Sequence, residues 1–334
     1  MVLEWNQLRK ANGRVTFNEY FQYELYDKAL SDDEKQRFLS TKLHWPITRA
    51  VCDMSWQATT EDKWLCDRLL RQSGIALPEV LAVFDTSARR YSDTHTIKDA
   101  DGLKDFALSL NGRPFFGKDL RGIASFGAFL CTSADEDFLY LEGSDPITYA
   151  DFITHHIAGE AYLFQTLQEN HKDLTAIADK LVTIRVCILM GKNKPRIPFA
   201  LAKLPVGPNI ADNFWRPGNI ACGIDPITGK IFSACAKNEL DITRLQVHPT
   251  KGTLFAGHQL PFWQQLLELV NKCSPIFAPI HYQSMDIAIT PEGPKLIEIN
   301  TGGGFDLAQF TARRGFLTDE VTEFFIEYGY KGFK

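Results

Sequence analysis

Three side chains with oxygen donors lie close together near the end of the chain: Asp286, Glu298 and Asn300. Residues 284–300 alternate apolar with polar residues around a proline and a glycine, which predicts a β-hairpin. Because side chains alternate along a strand, Glu298 and Asn300 share one face, with Leu296 in line with them. Asp286 precedes Glu298 by twelve residues (298 − 286), and a hairpin folds it back alongside. Two carboxylates and an amide oxygen suit Mg²⁺ held against phosphates, although a surface hairpin with solvated acids fits this segment alone equally well.

A lysine at the end of a predicted strand adds a candidate phosphate contact. Lys118 is followed by a small loop that contains Gly122, Ser125 and Gly127. Such a loop lets backbone N–H groups approach phosphate oxygens, and the lysine adds a compact positive charge. Taken alone, the segment is more typical of a surface lysine on an ordinary turn. A phosphate-binding cation together with Mg²⁺ ligands in one chain nevertheless indicates nucleotide chemistry.

An arginine interrupts a strongly predicted strand at residues 180–190, which are rich in valine, isoleucine and leucine. The charged side chain of Arg185 must face a cleft, pair with an acid or lie on an exposed face of the sheet. A cleft position would aim the guanidinium at anionic oxygens. The sequence leaves both the cleft and the exposed face open.

The elements that must position these residues follow from periodicity and turn signals. Residues up to about 74 have helical spacing, and a helix followed by a strand at 75–84 indicates α/β layering. We predict strands at residues 129–132, 138–142, 180–190, 199–204, 219–224 and 231–236, and helices at 59–74, 102–110, 149–157, 161–169 and 261–271. For residues 161–169 a start as a strand stays open beside the helix.

Composition excludes several classes of protein. The 334 residues are 45% hydrophobic and 23% charged, which is ordinary for a globular protein and is not typical of disordered or fibrous chains. There is no apolar run long enough to span a membrane and no signal-peptide pattern, so we expect a cytoplasmic protein without stable membrane insertion. Seven scattered cysteines without a CxxC pair predict buried, reduced thiols. A net charge of −5 argues against a nucleic-acid partner.

The order of these features resembles the ATP-grasp superfamily and, within it, the sugar-transfer associated ATP-grasp branch. The resemblance covers roughly residues 15 to 315. The Glu-x-Asn ending, with an aspartate about a dozen residues earlier, is fairly specific to the superfamily. The segments that carry the resemblance are Asp62-Lys63 ahead of residues 69–78, Phe116-Gly117-Lys118, Glu169-Asn170-His171 ahead of residues 182–185, residues 212–214, residues 221–225 with Thr228-Gly229, His248-Pro249 and residues 286–300.

The resemblance implies an α+β protein with the ATP-grasp fold. Two α+β subdomains, each with an antiparallel sheet, would clamp ATP between them, preceded by a helical N-terminal region. The implied division is a helical region at 1–74, a small subdomain with the glycine loop at 75–160 and a C-terminal subdomain with the Mg²⁺ site at 161–334.

The same resemblance implies ATP and Mg²⁺ as cofactors and assigns residues to them. Lys118 would contact the nucleotide phosphates, and the loop from Gly122 through Ser125 to Gly127 would close over them. The segment 162–167 resembles the hinge that recognises adenine and ribose. The metal ligands would be Asp286, Glu298 and Asn300, and the hinge contacts would be Leu163, Gln165 and Leu167, with Gln165 at a position that glutamate often occupies.

The implied activity is that of a carboxylate-amine ligase, which forms an acyl phosphate and then an amide. Its partners would be a small carboxylic acid and an amine, and the branch name suggests uronic-acid sugars of a surface polysaccharide. Arg185 would stabilise the acyl phosphate. Many family members carry an arginine two residues before the metal aspartate, where this chain has Ser284, so Lys203 and Arg216 are further catalytic candidates. A small-molecule kinase and a non-catalytic nucleotide-binding protein remain open, as does the oligomeric state. Lys63 matches a common family lysine whose role does not follow from the sequence, with helix capping and a structural ion pair as the two candidates.

Overall fold

The computed structural model describes residues 1–122, 126–207, 209, 214, 216–237 and 242–333. The helices are α1 Val2–Leu8, α2 Phe17–Gln22, α3 Asp32–Gln36, α4 His44–Val51, α5 Ala58–Glu61, α6 Lys63–Gln72, α7 Ala100–Ser109, α8 Tyr149–Asp151, α9 Trp263–Cys273, α10 Phe305–Ala312 and α11 Asp319–Glu327. The strands are β1 Val80–Phe84, β2 Thr96–Ile97, β3 Phe115–Asp119, β4 Phe129–Ala134, β5 Phe138–Leu141, β6 Ile147–Thr148, β7 Tyr162–Thr166, β8 Thr183–Met190, β9 Pro195–Leu204, β10 Ile220–Ile224, β11 Ile231–Lys237, β12 Ile242–Arg244, β13 Tyr282–Thr290 and β14 Gly293–Thr301. Among the described residues, no helix is both long and apolar enough to cross a bilayer.

The first sheet has the strand order β2-β1-β7-β3-β4-β5-β6 and is antiparallel except for the pairing of β1 with β2. Its core is aromatic: the Phe106 ring of α7 stacks on Phe164 of β7, and Phe115 and Phe129 pack beside them. Rings of this size bury large apolar areas, and their burial holds α7 against the sheet.

The second sheet is antiparallel throughout, with the order β12-β11-β10-β9-β8-β13-β14. Its core includes the N-terminal helices, because Tyr20, Phe38 and Ile47 belong to the same buried cluster as Ile184 and Met285. Two sheets of mainly antiparallel strands with packed helices are the α+β architecture expected from the sequence, and that prediction of the fold is confirmed. The helical region at 1–74 shares the core of the second sheet and has no core of its own.

Of the two alternatives at residues 161–169, the helix is wrong and the strand start is observed, since β7 occupies Tyr162–Thr166. This strand lies between β1 and β3 and hydrogen-bonds to both. A short apolar run fits a buried strand as well as a buried helix, and only pairing on both sides decides between them. The predicted subdomain boundary between residues 160 and 161 would cut β7 out of its sheet, so the boundary must move past Thr166.

The predicted continuous helix at 59–74 is also broken, at Asp62. This residue has extended backbone angles, and its side chain accepts a hydrogen bond from the Leu65 amide at 3.0 Å, which caps α6. Asp62 is further held by an ion pair with Arg89. The break makes Lys63 the first residue of α6 and fixes the direction in which its side chain leaves the helix.

The hairpin of β13 and β14 contains an extra residue on its second strand. Asp286 lies opposite Glu298, whereas the next pair is Ile287 with Leu296, so Ile297 has no partner across the ladder and forms a β-bulge. Before the bulge, at Leu296, side chains therefore point to the opposite face from the one that regular alternation through Glu298 and Asn300 predicts. Leu296 therefore lies on the opposite face from Glu298, in the core with Ile287, and its expected position in line with Glu298 is wrong.

Candidate functional site

The register of β13 and β14 brings the three oxygen ligands to one face of the second sheet. Asp286 lies opposite Glu298, and Ser284 lies opposite Asn300, and residues that pair directly in an antiparallel ladder point to the same side. Asp286 is 4% exposed, while the Glu298 side chain keeps about a third of its surface, at 31%. The hairpin thus supplies one buried carboxylate and one accessible carboxylate to the same patch.

Two cations neutralise the buried carboxylate. Arg185 lies directly opposite Asp286 on β8, with Nε to Oδ1 at 2.9 Å and Nη2 to Oδ2 at 2.7 Å. Lys203 of β9 donates from Nζ to Oδ2 at 3.1 Å. Burial by itself would raise the pKa of Asp286, but the charges of Arg185 and Lys203 outweigh that effect and lower the pKa.

The donor set fits a divalent cation. Glu298 and Asn300 both offer oxygens on the accessible side of the patch, and the Nδ2 of Asn300 is buried without a hydrogen-bond partner in the described part of the chain. The Oγ of Ser284, directly across the ladder, is also buried without a hydrogen-bond partner in the described part of the chain. Glu298 and Asn300 would hold Mg²⁺, and Asp286 would join them if one of its cationic partners moved aside. Within the described residues, no group of three or more acidic, histidine or cysteine side chains could hold a metal ion. The set proposed here differs in kind, because its third ligand is the amide oxygen of Asn300.

Lys118 approaches this patch from the first sheet. Its Nζ donates to the carbonyl of Ile297, the bulged residue, at 3.4 Å. Burial lowers the pKa of Lys118 to about 8, and the nearby carboxylate of Glu298 opposes the shift. The bulge matters here because the residue left out of the ladder presents its carbonyl to a partner outside the sheet.

Lys63 is a site residue whose position the sequence did not predict. Its Nζ donates to the carbonyl of Gly122 at 2.6 Å and lies 3.6 Å from Oε1 of Glu298. It therefore links the start of the glycine loop to the candidate metal ligands. The available signal was Asp62, a good capping residue immediately before a helix-forming run, which indicates a helix start at Lys63.

A narrow cleft separates the two sheets at this point. Its volume is about 30 Å³, roughly the space of one water molecule in the liquid. Its walls come from both sheets and from α5 and α6: Thr60, Lys63, Cys66, Asp67, Leu70, Leu77, Pro78, Lys118, Leu163, Gln165, Leu296, Ile297, Glu298 and Ile299.

The remaining predicted contacts are distributed unevenly around the cleft. Leu163 and Gln165 line it, whereas Leu167 follows the end of β7 and does not belong to the cleft wall. Gly127 has a φ of 71°, and a Cβ there would lie 2.3 Å from the Tyr162 hydroxyl, so only glycine fits.

Three further predictions lie on loops. Gly122 borders the cleft through the hydrogen bond that its carbonyl accepts from Lys63. Ser125 lies outside the described residues. Arg216 lies on the loop between β9 and β10, where its carbonyl accepts a hydrogen bond from the Asn219 amide and its side chain contacts no charged group of the described residues. The structure thus brings Arg185 and Lys203 together at Asp286 and places Lys118 near Glu298, and among the described residues the Arg216 side chain joins neither group.

Comparisons with known proteins find one family model and several distantly similar solved structures. The family model for sugar-transfer associated ATP-grasp proteins matches residues 47–323. Among solved structures, D-alanyl-alanine synthetase A from Vibrio cholerae O1 biovar eltor str. N16961 is 14% identical, with a TM-score of 0.48, over 83% of this chain and 66% of that chain, just under two thirds. A D-alanine–D-alanine ligase from Bacillus anthracis is 12% identical, with a TM-score of 0.46, over 84% of this chain and 70% of that chain. No curated protein is significantly similar in sequence.

Proposed function

Because the chain belongs to the sugar-transfer associated ATP-grasp family, we propose that it is an ADP-forming ligase that joins a carboxylic acid to an amine through an acyl phosphate. The observation that carries the proposal is the row of charges across the second sheet. Arg185 and Lys203 converge on Asp286, which pairs across the ladder with Glu298, and Glu298 lines the same cleft as Lys118. Such a row places positive groups where the negative charge of a phosphoryl transfer develops.

Each charged group has a defined task in this proposal. Lys118 and the glycine loop bind the phosphates of ATP, and Leu163 and Gln165 contact its base. Mg²⁺, when bound, supplies a charge that neutralises phosphate oxygens. Arg185 and Lys203 hold the acyl phosphate and stabilise the oxyanion of its breakdown.

The substrates are proposed by class. The acid is a small carboxylic acid, with uronic acids as the first group to examine, and the partner is a small amine. An acyl phosphate is consumed by amines, whereas a phosphorylated hydroxyl is stable. Trapping the intermediate therefore separates a ligase from a kinase.

To test the proposal, the protein is incubated with ATP, Mg²⁺, hydroxylamine and each member of a panel of acids that includes uronic acids. Hydroxylamine converts acyl phosphates to hydroxamates. We expect acid-dependent ADP release together with hydroxamate. Arg185→Met should lower hydroxamate formation about 100-fold. The matched control is Arg196→Met on β9, since Arg196 pairs with the exposed Glu320 away from the cleft.

Two results would contradict the proposal. A stable phosphorylated product without hydroxamate would indicate a kinase. ATP binding without acid-dependent turnover for any member of the panel would indicate a nucleotide-binding protein without this activity.

A further inference from the structure

A second cavity, of about 300 Å³, lies between the N-terminal helices and the first turn of α10. One wall is formed by α2 and the residues that follow α3, all within 16–42 and therefore outside the segment 47–323 that the family model matches. The rim is exposed and the floor is buried. The lining residues are Thr16, Asn18, Glu19, Gln22, Tyr23, Thr41, Lys42, Asp306 and Phe310.

The floor of this cavity contains a carboxylate that the described fold does not otherwise use. Asp306 accepts a hydrogen bond from the Leu307 amide at 2.8 Å, and no side chain of the described residues donates to it. Glu19, the other acid, accepts hydrogen bonds from the backbone and hydroxyl groups of both Thr16 and Thr41, so it is used to join α2 to the next segment. Asp306 is therefore the carboxylate available to a ligand.

Asp306 also borders the charged row of the second sheet. Burial raises the pKa of Asp306, and the positive charge of Arg185 is close enough to oppose that shift. The α10 helix that carries it begins just after Gly302 and Gly303, and the Gly303 carbonyl accepts a hydrogen bond from the Tyr282 hydroxyl at 2.9 Å. Asp306 thus lines the cavity and is near enough to Arg185 for their charges to interact.

We propose that this cavity binds the amine substrate, a small polar molecule whose primary ammonium group pairs with Asp306. The inference rests on the proposed ligase activity and adds the location and charge of its second substrate. Two acids and one lysine line the cavity, so its net charge favours a cation. Asn18, Gln22 and Thr41 offer amide and hydroxyl groups to the polar remainder of the ligand.

The chemistry balances with Asp306 as proton acceptor. The ammonium group gives one proton to the carboxylate, and the freed nitrogen lone pair forms the C–N bond to the acyl carbon. As the C–O bond to phosphate breaks, the second proton leaves nitrogen with the departing phosphate. Amide and inorganic phosphate result, and Asp306 returns its proton to solvent through the open rim.

The experiment measures how the acyl phosphate divides between two nucleophiles in the full chain. Hydroxylamine, which is largely uncharged at neutral pH, competes with glycine, L-alanine, ethanolamine or glucosamine as the probe amine. Asp306→Asn should lower the ratio of amide to hydroxamate at least tenfold, and Asp306→Glu should restore part of it. Asp319→Asn is the matched control, since Asp319 occupies the first turn of α11 and is exposed.

A second variant keeps the proposal testable if Asp306→Asn fails to fold. Asn18→Trp fills the cavity from its exposed rim and should raise the KM for the amine at least tenfold. The proposal would be overturned by an unchanged ratio of amide to hydroxamate in Asp306→Asn or by an unchanged KM for the amine in Asn18→Trp. It would also be overturned if the wild-type protein formed hydroxamate but used none of the probe amines. Absence of hydroxamate in the wild type would instead contradict the ligase activity itself.

Discussion

At the scale of single residues, Asp286 and Glu298 differ in burial and in charged partners, although both are predicted from the sequence as metal ligands. Asp286 is buried and shared by Arg185 and Lys203, so it holds the charged row together. Glu298 is partly exposed and makes only a 3.6 Å pairing with Lys63. A buried charge whose partner is removed costs several kcal/mol, whereas an exposed pair contributes little.

We therefore expect Asp286→Asn and Glu298→Gln to lower ligase turnover about 100-fold each but to differ in stability. Asp286→Asn should lose about 3 kcal/mol of unfolding free energy, because Arg185 and Lys203 lose the charge they share. Glu298→Gln should lose less than about 1 kcal/mol. Urea unfolding followed by tryptophan fluorescence measures both, and an equal loss in the two variants would contradict this division of roles.

Lys118 should destabilise the ligand-free protein near neutral pH. Its folded-state pKa of about 8 lies below the ordinary 10.5, so the folded state binds fewer protons than the unfolded state between these values. Unfolding free energy therefore rises with pH in that window, and the penalty of burying the charged form is complete below pH 8.

Lys118→Met should accordingly raise stability at pH 7 by about 1–3 kcal/mol, since one pKa unit corresponds to about 1.4 kcal/mol. The advantage should shrink as the pH rises towards 10, and binding of ATP should be lost at every pH. Chemical unfolding at pH 7 and pH 10 measures the first effect. A variant less stable than wild type at pH 7 would show that Lys118 stabilises the fold.

At the scale of elements, the bulge in β14 connects the hairpin to the rest of the site. Ile297 is the residue left out of the ladder, and its carbonyl is the one that Lys118 contacts. Periodicity predicted the hairpin and the shared face of Asp286, Glu298 and Asn300. It did not predict the bulge, because the residues around Ile297 fit a regular strand in the sequence, and only the register with β13 reveals the extra residue.

Deleting Ile297 tests the bulge directly. The pairs on either side of it, Asp286 with Glu298 and Ile287 with Leu296, remain possible in a regular hairpin, so the fold should persist. The carbonyl that Lys118 contacts is lost, and we expect the affinity for ATP to fall about tenfold. Ile297→Ala keeps the backbone and is the control. Calorimetric titration with ATP measures the affinity, and a deletion variant that binds as tightly as wild type would contradict the role of the bulge.

At the scale of the whole molecule, the cleft between the sheets is too small for a nucleotide. A space of about 30 Å³ holds roughly one water, so we expect the sheets to separate if ATP binds here as proposed. Cys66 lines this cleft, and burial raises the pKa of its thiol to about 12. All seven cysteines are free and buried, which agrees with the predicted reduced thiols.

Opening of the cleft should therefore expose Cys66 before the other thiols. We expect one fast and six slow reactions with Ellman's reagent, with the fast one slowed by ATP and Mg²⁺, because bound nucleotide covers the cleft. Cys66→Ser should remove the fast phase, and Cys235→Ser, which changes a buried thiol of β11 that does not line the cleft, should not. A fast phase that survives Cys66→Ser would show that another part of the molecule opens first.

The sequence by itself determined the fold class and identified most of the candidate site residues. Hydrophobic alternation and turn residues specify local strands, and charged residues such as Arg185 within them are conspicuous because burial of a charge is costly. Tertiary structure alone decided which of these groups meet: that Arg185 pairs with Asp286, that Lys63 reaches Glu298, that Arg216 lies apart, and that β7 belongs to the first sheet. The physical reason is that register, bulges and packing between distant segments depend on contacts across the whole chain, and no local pattern records them.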